Sequence, residues 1–141
     1  MFAILDTNHF RELVSDSSEA GARLRERIAA ESADVFTSIV MLEESMHGWM
    51  ALLNRRKPGP EQVDAYGRMQ LALEKAVKLG ILPFDDETAE TFVVLRHHFR
   101  RKGAMDLKIA SIALSHEALL LTRNVEDVRD IPGLQFQNWL D

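Results

Sequence analysis

The chain has 141 residues and a formal net charge of −5, from 17 Lys and Arg against 22 Asp and Glu. This length predicts one domain over residues 1–141, and the acidic charge argues against a protein that wraps nucleic acid with a basic surface. The absence of cysteine excludes disulfides, thiolate zinc sites and cysteine nucleophiles. No apolar stretch has the length of a signal peptide or a membrane span, so we expect a cytoplasmic protein with no membrane partner.

Short apolar runs alternate with helical patterns along the chain. The run at residues 2–5 predicts a buried strand that ends in a polar turn at residues 6–8. Similar runs predict further strands at residues 35–36, 81–84, 119–121 and 134–136. Helical spacing predicts helices at residues 19–30, 61–79, 88–99 and 106–118, and one more that begins near residue 41. This alternation predicts an α/β domain with a mostly parallel sheet.

Carboxylate and amide side chains follow several of the predicted strands, where parallel strands end at a common edge and ligands bind. Each has an ordinary local explanation as a helix cap, a first-turn carboxylate, a turn residue or a surface charge. Together, however, these groups would repel one another without a counter-charge. Oxygen ligands favour Mg²⁺ or Mn²⁺, which can activate water and neutralise a phosphodiester. The residues are Asp6, Glu43, Glu44, Asp106, Asn124 and Asp127.

Four segments keep a characteristic order and spacing: residues 4–8 (ILDTN), 38–48 (SIVMLEESMHG), 103–110 (GAMDLKIA) and 121–127 (LTRNVED). In these segments the chain resembles the PIN-domain ribonucleases, and most closely the VapC-like toxins of bacterial type II toxin–antitoxin systems. The resemblance implies a three-layer α/β/α domain with about five strands. It also implies Mg²⁺-dependent (or Mn²⁺-dependent) cleavage of RNA, a cognate antitoxin partner and a homodimer.

The resemblance also implies a role for individual residues. Asp6, Glu44 and Asp106 match the acidic ligands that hold one or two Mg²⁺ ions. Glu44 is preferred because the family places a glutamate four residues before a glycine, and Glu43 is the fallback. The fourth catalytic position is filled by Asn124 or by Asp127. Hydroxyl groups that the family places near the site match Thr7, Ser38 and Thr122.

Residues 96–102 carry a cluster of basic side chains just before Asp106. The cluster has two interpretations, an RNA-binding rim formed by Arg100, Arg101 and Lys102, or a solvated helix end. Arg123 is a further candidate, either for phosphate contact or for pairing with a carboxylate of the site.

Other functions fit fewer of these features. A haloacid-dehalogenase-like phosphotransferase would carry an aspartate where this chain has Asn8. A response-regulator receiver would need a lysine after a late strand, but the last lysine is Lys108, inside a predicted helix. A catalytically inactive PIN-like module that only binds RNA or protein is the remaining alternative, since Asn124 occupies a position that is often acidic.

Overall fold

The computed structural model describes residues 1–141 as five strands and seven α-helices. None of the helices combines the length and apolar character needed to cross a membrane. The strands are β1 (Phe2–Leu5), β2 (Asp34–Ser38), β3 (Ile81–Leu82), β4 (Leu119–Leu121) and β5 (Gln135–Gln137). The helices are α1 (Thr7–Val14), α2 (Glu19–Ala30), α3 (Ile39–Asn54), α4 (Val63–Leu79), α5 (Asp86–His98), α6 (Ala104–Ser115) and α7 (Val125–Val128).

All five strands form one parallel sheet in the order β3-β2-β1-β4-β5. Strand β1 lies at the centre, where Ile4 is level with Phe36 of β2 on one side and with Leu120 of β4 on the other. The predicted α/β class and the three-layer α/β/α arrangement are therefore confirmed. The sheet is entirely parallel, so all its strands point their carboxyl ends to the same edge.

Helices cover both faces of the sheet, so the central strands are buried on both sides. Side chains alternate along β1: Ile4 packs into an apolar cluster with α5 and α6, while Ala3 and Leu5 pack into a second cluster with α1 to α4. Leu120 and Leu121 divide between the two clusters in the same way. This double burial explains why the central strands are continuous apolar runs in the sequence.

The segment after β1 is a helix, so the predicted polar turn at residues 6–8 is wrong beyond Asp6. Asp6 has extended backbone angles, and its side chain accepts a hydrogen bond from the backbone N–H of Thr7 at 2.7 Å, which caps α1. Helix α2 packs closely against α1 at Gly21, where a Cβ atom would lie 2.0 Å from the carbonyl oxygen of Glu12. The polar residues after β1 therefore begin a helix, because Asp6 satisfies its first free N–H group.

The last residues of the chain are fastened to α1. The ring of His9 is fully buried, and its Nε2 accepts the backbone N–H of Trp139 at 3.0 Å. Arg123 donates through Nε and Nη2 to the carboxylate of Asp141, at 3.3 and 3.4 Å. Burial, with the nearby Arg123 charge adding to it, lowers the pKa of His9 to about 4, so the ring is neutral at pH 7.

Candidate metal centre

Asp6 lies at the carboxyl end of the central strand and is buried. Its Oδ1 accepts the Thr7 N–H, and its Oδ2 accepts the hydroxyl of Thr122 at 2.9 Å. The backbone N–H of Asp6 donates to the carbonyl of Leu121 at 2.9 Å, which continues the pairing of β1 with β4. Both carboxylate oxygens are therefore held in place by neighbouring elements.

Thr122 connects two of the predicted site segments. Its buried hydroxyl donates to Asp6 and accepts the backbone N–H of Asn124 at 3.0 Å. Its own backbone N–H donates to the carbonyl of Gln137 at 3.0 Å. One side chain thus fixes both the carboxylate after β1 and the turn after β4.

Replacing Thr122 with valine should destabilise the protein by about 1–3 kcal/mol, because a buried carboxylate oxygen and a backbone N–H lose their partner. Urea unfolding of Thr122→Val and Thr122→Ser measures this cost. Serine keeps the hydroxyl, so the serine variant should retain most of the stability. Wild-type stability in Thr122→Val, with a loss in Thr122→Ser, would show that the methyl group, and not the hydroxyl, is responsible.

Asp106 lies in the first turn of α6, but it does not cap that helix. The N-cap position is Gly103, and no side chain caps it. Burial first, and then the negative charges of Asp6, Asp127 and Glu44 in that order, raise the pKa of Asp106 to about 6. Carboxylates from three other segments of the chain therefore act on this one group.

The structure distinguishes the two adjacent glutamates at the start of α3. Glu44 contributes to the raised pKa of Asp106, whereas Glu43 does not. Glu44 also lines a groove that Thr7 borders, between α1 and α3. Because neighbouring residues on a helix point about 100° apart, Glu43 is directed away from this groove. The position of Glu44 thus makes it a better candidate for the second metal ligand than Glu43.

The predicted hydroxyl residues Thr7 and Ser38 have different surroundings. The Thr7 Oγ1 is buried and has no hydrogen-bond partner. The Ser38 Oγ accepts the backbone N–H of Met41 at 3.1 Å, so Ser38 is the N-cap of α3. Ser38 supports the helix that carries Glu44, whereas Thr7 leaves a free polar atom beside Asp6.

The two candidates for the fourth position are also separated. Asn124 precedes α7, and its backbone N–H binds Thr122, but it gives no side-chain cap to the helix. Asp127 lies within α7 and borders the same cavity as Asp106. Its charge acts on Asp106, so Asp127 brings a fourth carboxylate toward the other three.

The predicted basic rim lies between α5 and α6 and borders the cavity that contains Asp106 and Asp127. Arg100 and Arg101 are exposed there. Lys102 instead pairs with Asp130, with its Nζ 2.8 Å from Oδ1. Arg123 is engaged with Asp141 and does not border this cavity. The four predicted RNA-binding cations thus occupy three different environments.

Sequence reasoning included Arg96 in the basic cluster but did not predict that Arg96 and Asp130 organise this rim. Arg96 Nη1 donates to the carbonyl oxygens of Lys102 at 2.8 Å and of Arg100 at 3.2 Å. Neither residue belongs to a recognised motif, and the contacts depend on how the chain returns after α5. The only signal in the sequence was the high density of charge in residues 96–102.

The donor set suits a hard divalent cation, since it offers carboxylate oxygens and the unpartnered hydroxyl of Thr7. No three acidic or histidine side chains stand close enough, as placed, to ligate one ion. Asp6 is held by its hydrogen bonds, whereas Glu44 and Asp127 are exposed and free to change rotamer. A complete ligand set therefore requires the exposed carboxylates to rotate toward Asp6 and Asp106.

Comparison with known proteins identifies the family of the chain. The PIN domain model matches residues 3–133. Ribonuclease VapC2 of Rickettsia felis is 25% identical over 143 residues, covering 99% of this chain and 98% of that protein. The structure of VapBC2 from Rickettsia felis bound to a promoter DNA fragment has a TM-score of 0.75 at 23% identity, covering 99% of both chains. A toxin–antitoxin complex from Klebsiella pneumoniae has a TM-score of 0.64 at 25% identity, covering 94% of both chains. With its family model matched over most of its length, the chain belongs to the PIN domain family.

Proposed function

We propose that this chain is a Mg²⁺-dependent endoribonuclease and the toxin of a toxin–antitoxin pair. Asp6, Glu44 and Asp106 are the metal ligands, and Asp127 is the additional catalytic carboxylate. Mn²⁺ fits the same oxygen ligands. The similarity to a protein named Ribonuclease VapC2 supports the activity, and the similarity to toxin–antitoxin complexes supports the biological role.

The observation that carries this proposal is the placement of acidic side chains at one edge of the sheet, where Asp6 is buried and held by hydrogen bonds and Asp106 and Asp127 border one cavity. The raised pKa of Asp106, which reflects burial and the charges of Asp6, Asp127 and Glu44, supports it. Four carboxylates from separate segments lie near the carboxyl edge of the sheet, and three of them act electrostatically on the fourth, Asp106. Their mutual repulsion destabilises the protein at neutral pH unless a cation compensates it. An acidic cluster of this kind is costly to maintain for structure alone, and it matches what a divalent metal requires.

The residues of the chain contribute distinct parts of the proposed reaction. Thr122 and the Thr7 N–H hold Asp6 in one orientation, which gives the site a fixed ligand. Mg²⁺, when bound, supplies neutralisation of the phosphodiester charge and activation of water. Arg100 and Arg101, which border the same cavity, attract and orient the RNA backbone. Thr7 offers a hydroxyl that can orient a water molecule beside Asp6.

The groove between α1 and α3, which Glu44 lines, has the character of a protein-binding surface. The groove between α1 and α3 combines the apolar side chains of Phe10, Trp49 and Leu52 with Arg11, and Glu44 lies along it. Aromatic and arginine side chains are enriched where proteins bind partners. The antitoxin that the proposed role requires would find here a surface that adjoins the catalytic site.

The proposal is tested with the purified chain and a labelled single-stranded RNA. We expect cleavage in Mg²⁺, its loss in excess EDTA, and its recovery when Mg²⁺ or Mn²⁺ is restored. Cleavage that persists in EDTA would rule out metal dependence. Absence of cleavage for every RNA tested, together with no Mg²⁺ binding by calorimetry, would favour a binding module instead.

The adjacent glutamates provide a matched pair of variants. Glu44→Gln should reduce cleavage at least ~10-fold, because it removes a ligand charge from the cluster. Glu43→Gln removes the same charge one position away and should cleave as the wild type does. Initial rates at a fixed Mg²⁺ concentration give the comparison. A larger loss in Glu43→Gln would reassign the second ligand.

A further inference from the structure

Lys102 has surroundings that differ from those of the other cations of the rim. Its side chain is only 18% exposed. Its Nζ donates to the backbone carbonyl of Asp127 at 2.8 Å and lies 2.8 Å from Oδ1 of Asp130. The ammonium group also lies 5.5 Å from the centre of the Phe99 ring. Lys102 is therefore bound on several sides by its own protein.

These contacts leave Lys102 little capacity to bind RNA. An ammonium group has three N–H donors, and two of them point to acceptors in and just after α7. The backbone of Lys102 is held as well, because its carbonyl accepts a hydrogen bond from Arg96. A side chain fixed at both ends is suited to positioning a neighbour, whereas Arg101 is exposed and suited to phosphate contact.

The neighbour that Lys102 holds is the short helix α7. This helix has four residues and no side-chain cap, so it is too short to be stable by itself. Val128 anchors it in the core, and Lys102 binds the carbonyl of Asp127 directly. The contact with Asp130 fastens the segment that follows the helix. The position of the Asp127 backbone thus depends on a side chain from the loop before α6.

We propose that Lys102 is a positioning residue for the metal centre, and that it acts by holding Asp127 toward Asp106. This inference rests on the proposed function. Asp106 follows Lys102 by four residues, while Asp127 comes from the far side of β4. The Lys102 contact joins these two parts of the chain at the cavity that both carboxylates border. Without the Lys102 contact, Asp127 is still present, but its backbone is no longer held beside Asp106.

Metal affinity provides a readout that does not depend on RNA cleavage. In calorimetric titrations with Mn²⁺, Lys102→Met should bind about 10-fold more weakly than the wild type, as expected when a supporting contact to a ligand is lost. Lys102→Arg keeps the charge and the donors, so it should bind within a factor of about three of the wild type. Arg101→Met, a neighbouring cation of the same loop, should bind Mn²⁺ with wild-type affinity.

The steady-state kinetics of RNA cleavage separate positioning from RNA contact. Lys102→Met should lower kcat at limiting Mg²⁺, leave KM for RNA unchanged, and recover its rate when Mg²⁺ is raised. Arg101→Met should instead raise KM for RNA with no dependence on Mg²⁺. A rise in KM for Lys102→Met with unchanged Mn²⁺ affinity would overturn the inference and make Lys102 an RNA contact.

Asp130→Asn gives an independent test if Lys102→Met does not fold, because the side chain of Asp130 is 63% exposed. It loosens Lys102 without touching the metal ligands, and it should weaken Mn²⁺ binding about threefold. Wild-type affinity in Lys102→Met, or in Asp130→Asn where Lys102→Met does not fold, would overturn the inference while the wild type still binds metal and cleaves RNA. A wild type that neither binds Mn²⁺ nor cleaves RNA would overturn the proposed function itself.

Discussion

Asp6→Asn and Asp106→Asn are each expected to abolish Mg²⁺-dependent RNA cleavage while the protein stays folded. We expect losses of at least ~100-fold, beyond the range for residues that merely support a ligand. Asparagine in place of Asp6 keeps an oxygen for the Thr7 N–H and can donate to the Thr122 hydroxyl, so the fold should tolerate it. Cleavage by matched concentrations of wild type and variants, with circular dichroism to verify folding, gives the measurement.

The two variants should differ in stability when metal is absent. Asp106 has its pKa raised from 3.8 to about 6, so its charge costs free energy in the folded state at pH 7. Asp106→Asn removes that cost and should be more stable than the wild type by about 1.5 kcal/mol at pH 7, after allowing for the screening of a partly exposed charge. Urea unfolding in EDTA measures it. A destabilised, inactive Asp106→Asn would mean that Asp106 is structural.

Asp86→Asn serves as a control for removing a carboxylate. Asp86 lies in the first turn of α5, as Asp106 lies in the first turn of α6, but it does not act on Asp106. Full activity of Asp86→Asn would show that the loss in Asp106→Asn reflects its position in the cluster. Undiminished cleavage by purified Asp6→Asn or Asp106→Asn would refute the ligand assignment.

The second large effect concerns acid stability and His9. The folded pKa of His9 is about 4, against an ordinary value of 6.5, so the unfolded chain binds the proton more tightly. Stability that is fully present above pH 6.5 is therefore lost as the pH falls toward 4. For a fully buried ring this amounts to about 3 kcal/mol. Protonation would also place a second N–H where Nε2 accepts the Trp139 N–H.

The titration of Asp106 has the opposite effect on stability to that of His9, over nearly the same range of pH. Because its pKa is higher in the folded state, Asp106 takes up a proton on acidification and adds stability between about pH 6 and 4. The wild type should thus lose only part of the His9 contribution. Asp106→Asn should lose the whole His9 contribution. Its higher free energy of unfolding relative to the wild type should therefore disappear near pH 4.

Removing His9 in the Asp106→Asn background isolates the histidine. His9→Gln keeps an acceptor that can reach the Trp139 N–H but does not titrate in this range. The free energy of unfolding of the double variant should change little between pH 6.5 and 4.5, whereas that of Asp106→Asn should fall. The change of the free energy of unfolding with pH shows whether His9 is responsible, because this slope is independent of any packing cost of the substitution. Equal slopes in the two proteins would exclude His9 as the source.

The parts of the fold that the sequence predicted well are those where local pattern and tertiary environment agree. Helix α2 and strand β4 have the predicted bounds, since one is an amphipathic helix and the other an apolar run buried on both faces. Helix α1 was missed because Asp6, Thr7 and Asn8 are as common in turns as at helix starts. What decides between the two is the cap formed by Asp6.

The candidate site was predicted in outline but not in its connections. Asp6 could be named because it follows a strand whose carboxyl end lies at this edge. Asp106, which lies at the start of a helix, was named because the chain resembles the PIN-domain ribonucleases. The hydrogen bond from Thr122 to Asp6 spans 116 positions, and no local pattern indicates such a contact. The pairing of Lys102 with α7 likewise depends on the packing of distant segments.

The central position of β1 determines when this site can exist during protein synthesis. Residues 2–5 are synthesised before β2 and β4, yet β1 lies between these two strands, and the partner of Asp6 is Thr122. Contacts between residues so far apart in the chain form late in folding. A growing chain that ends before Thr122 cannot hold Asp6 in its final orientation. The orientation of the first acidic side chain is therefore set only after synthesis has passed β4.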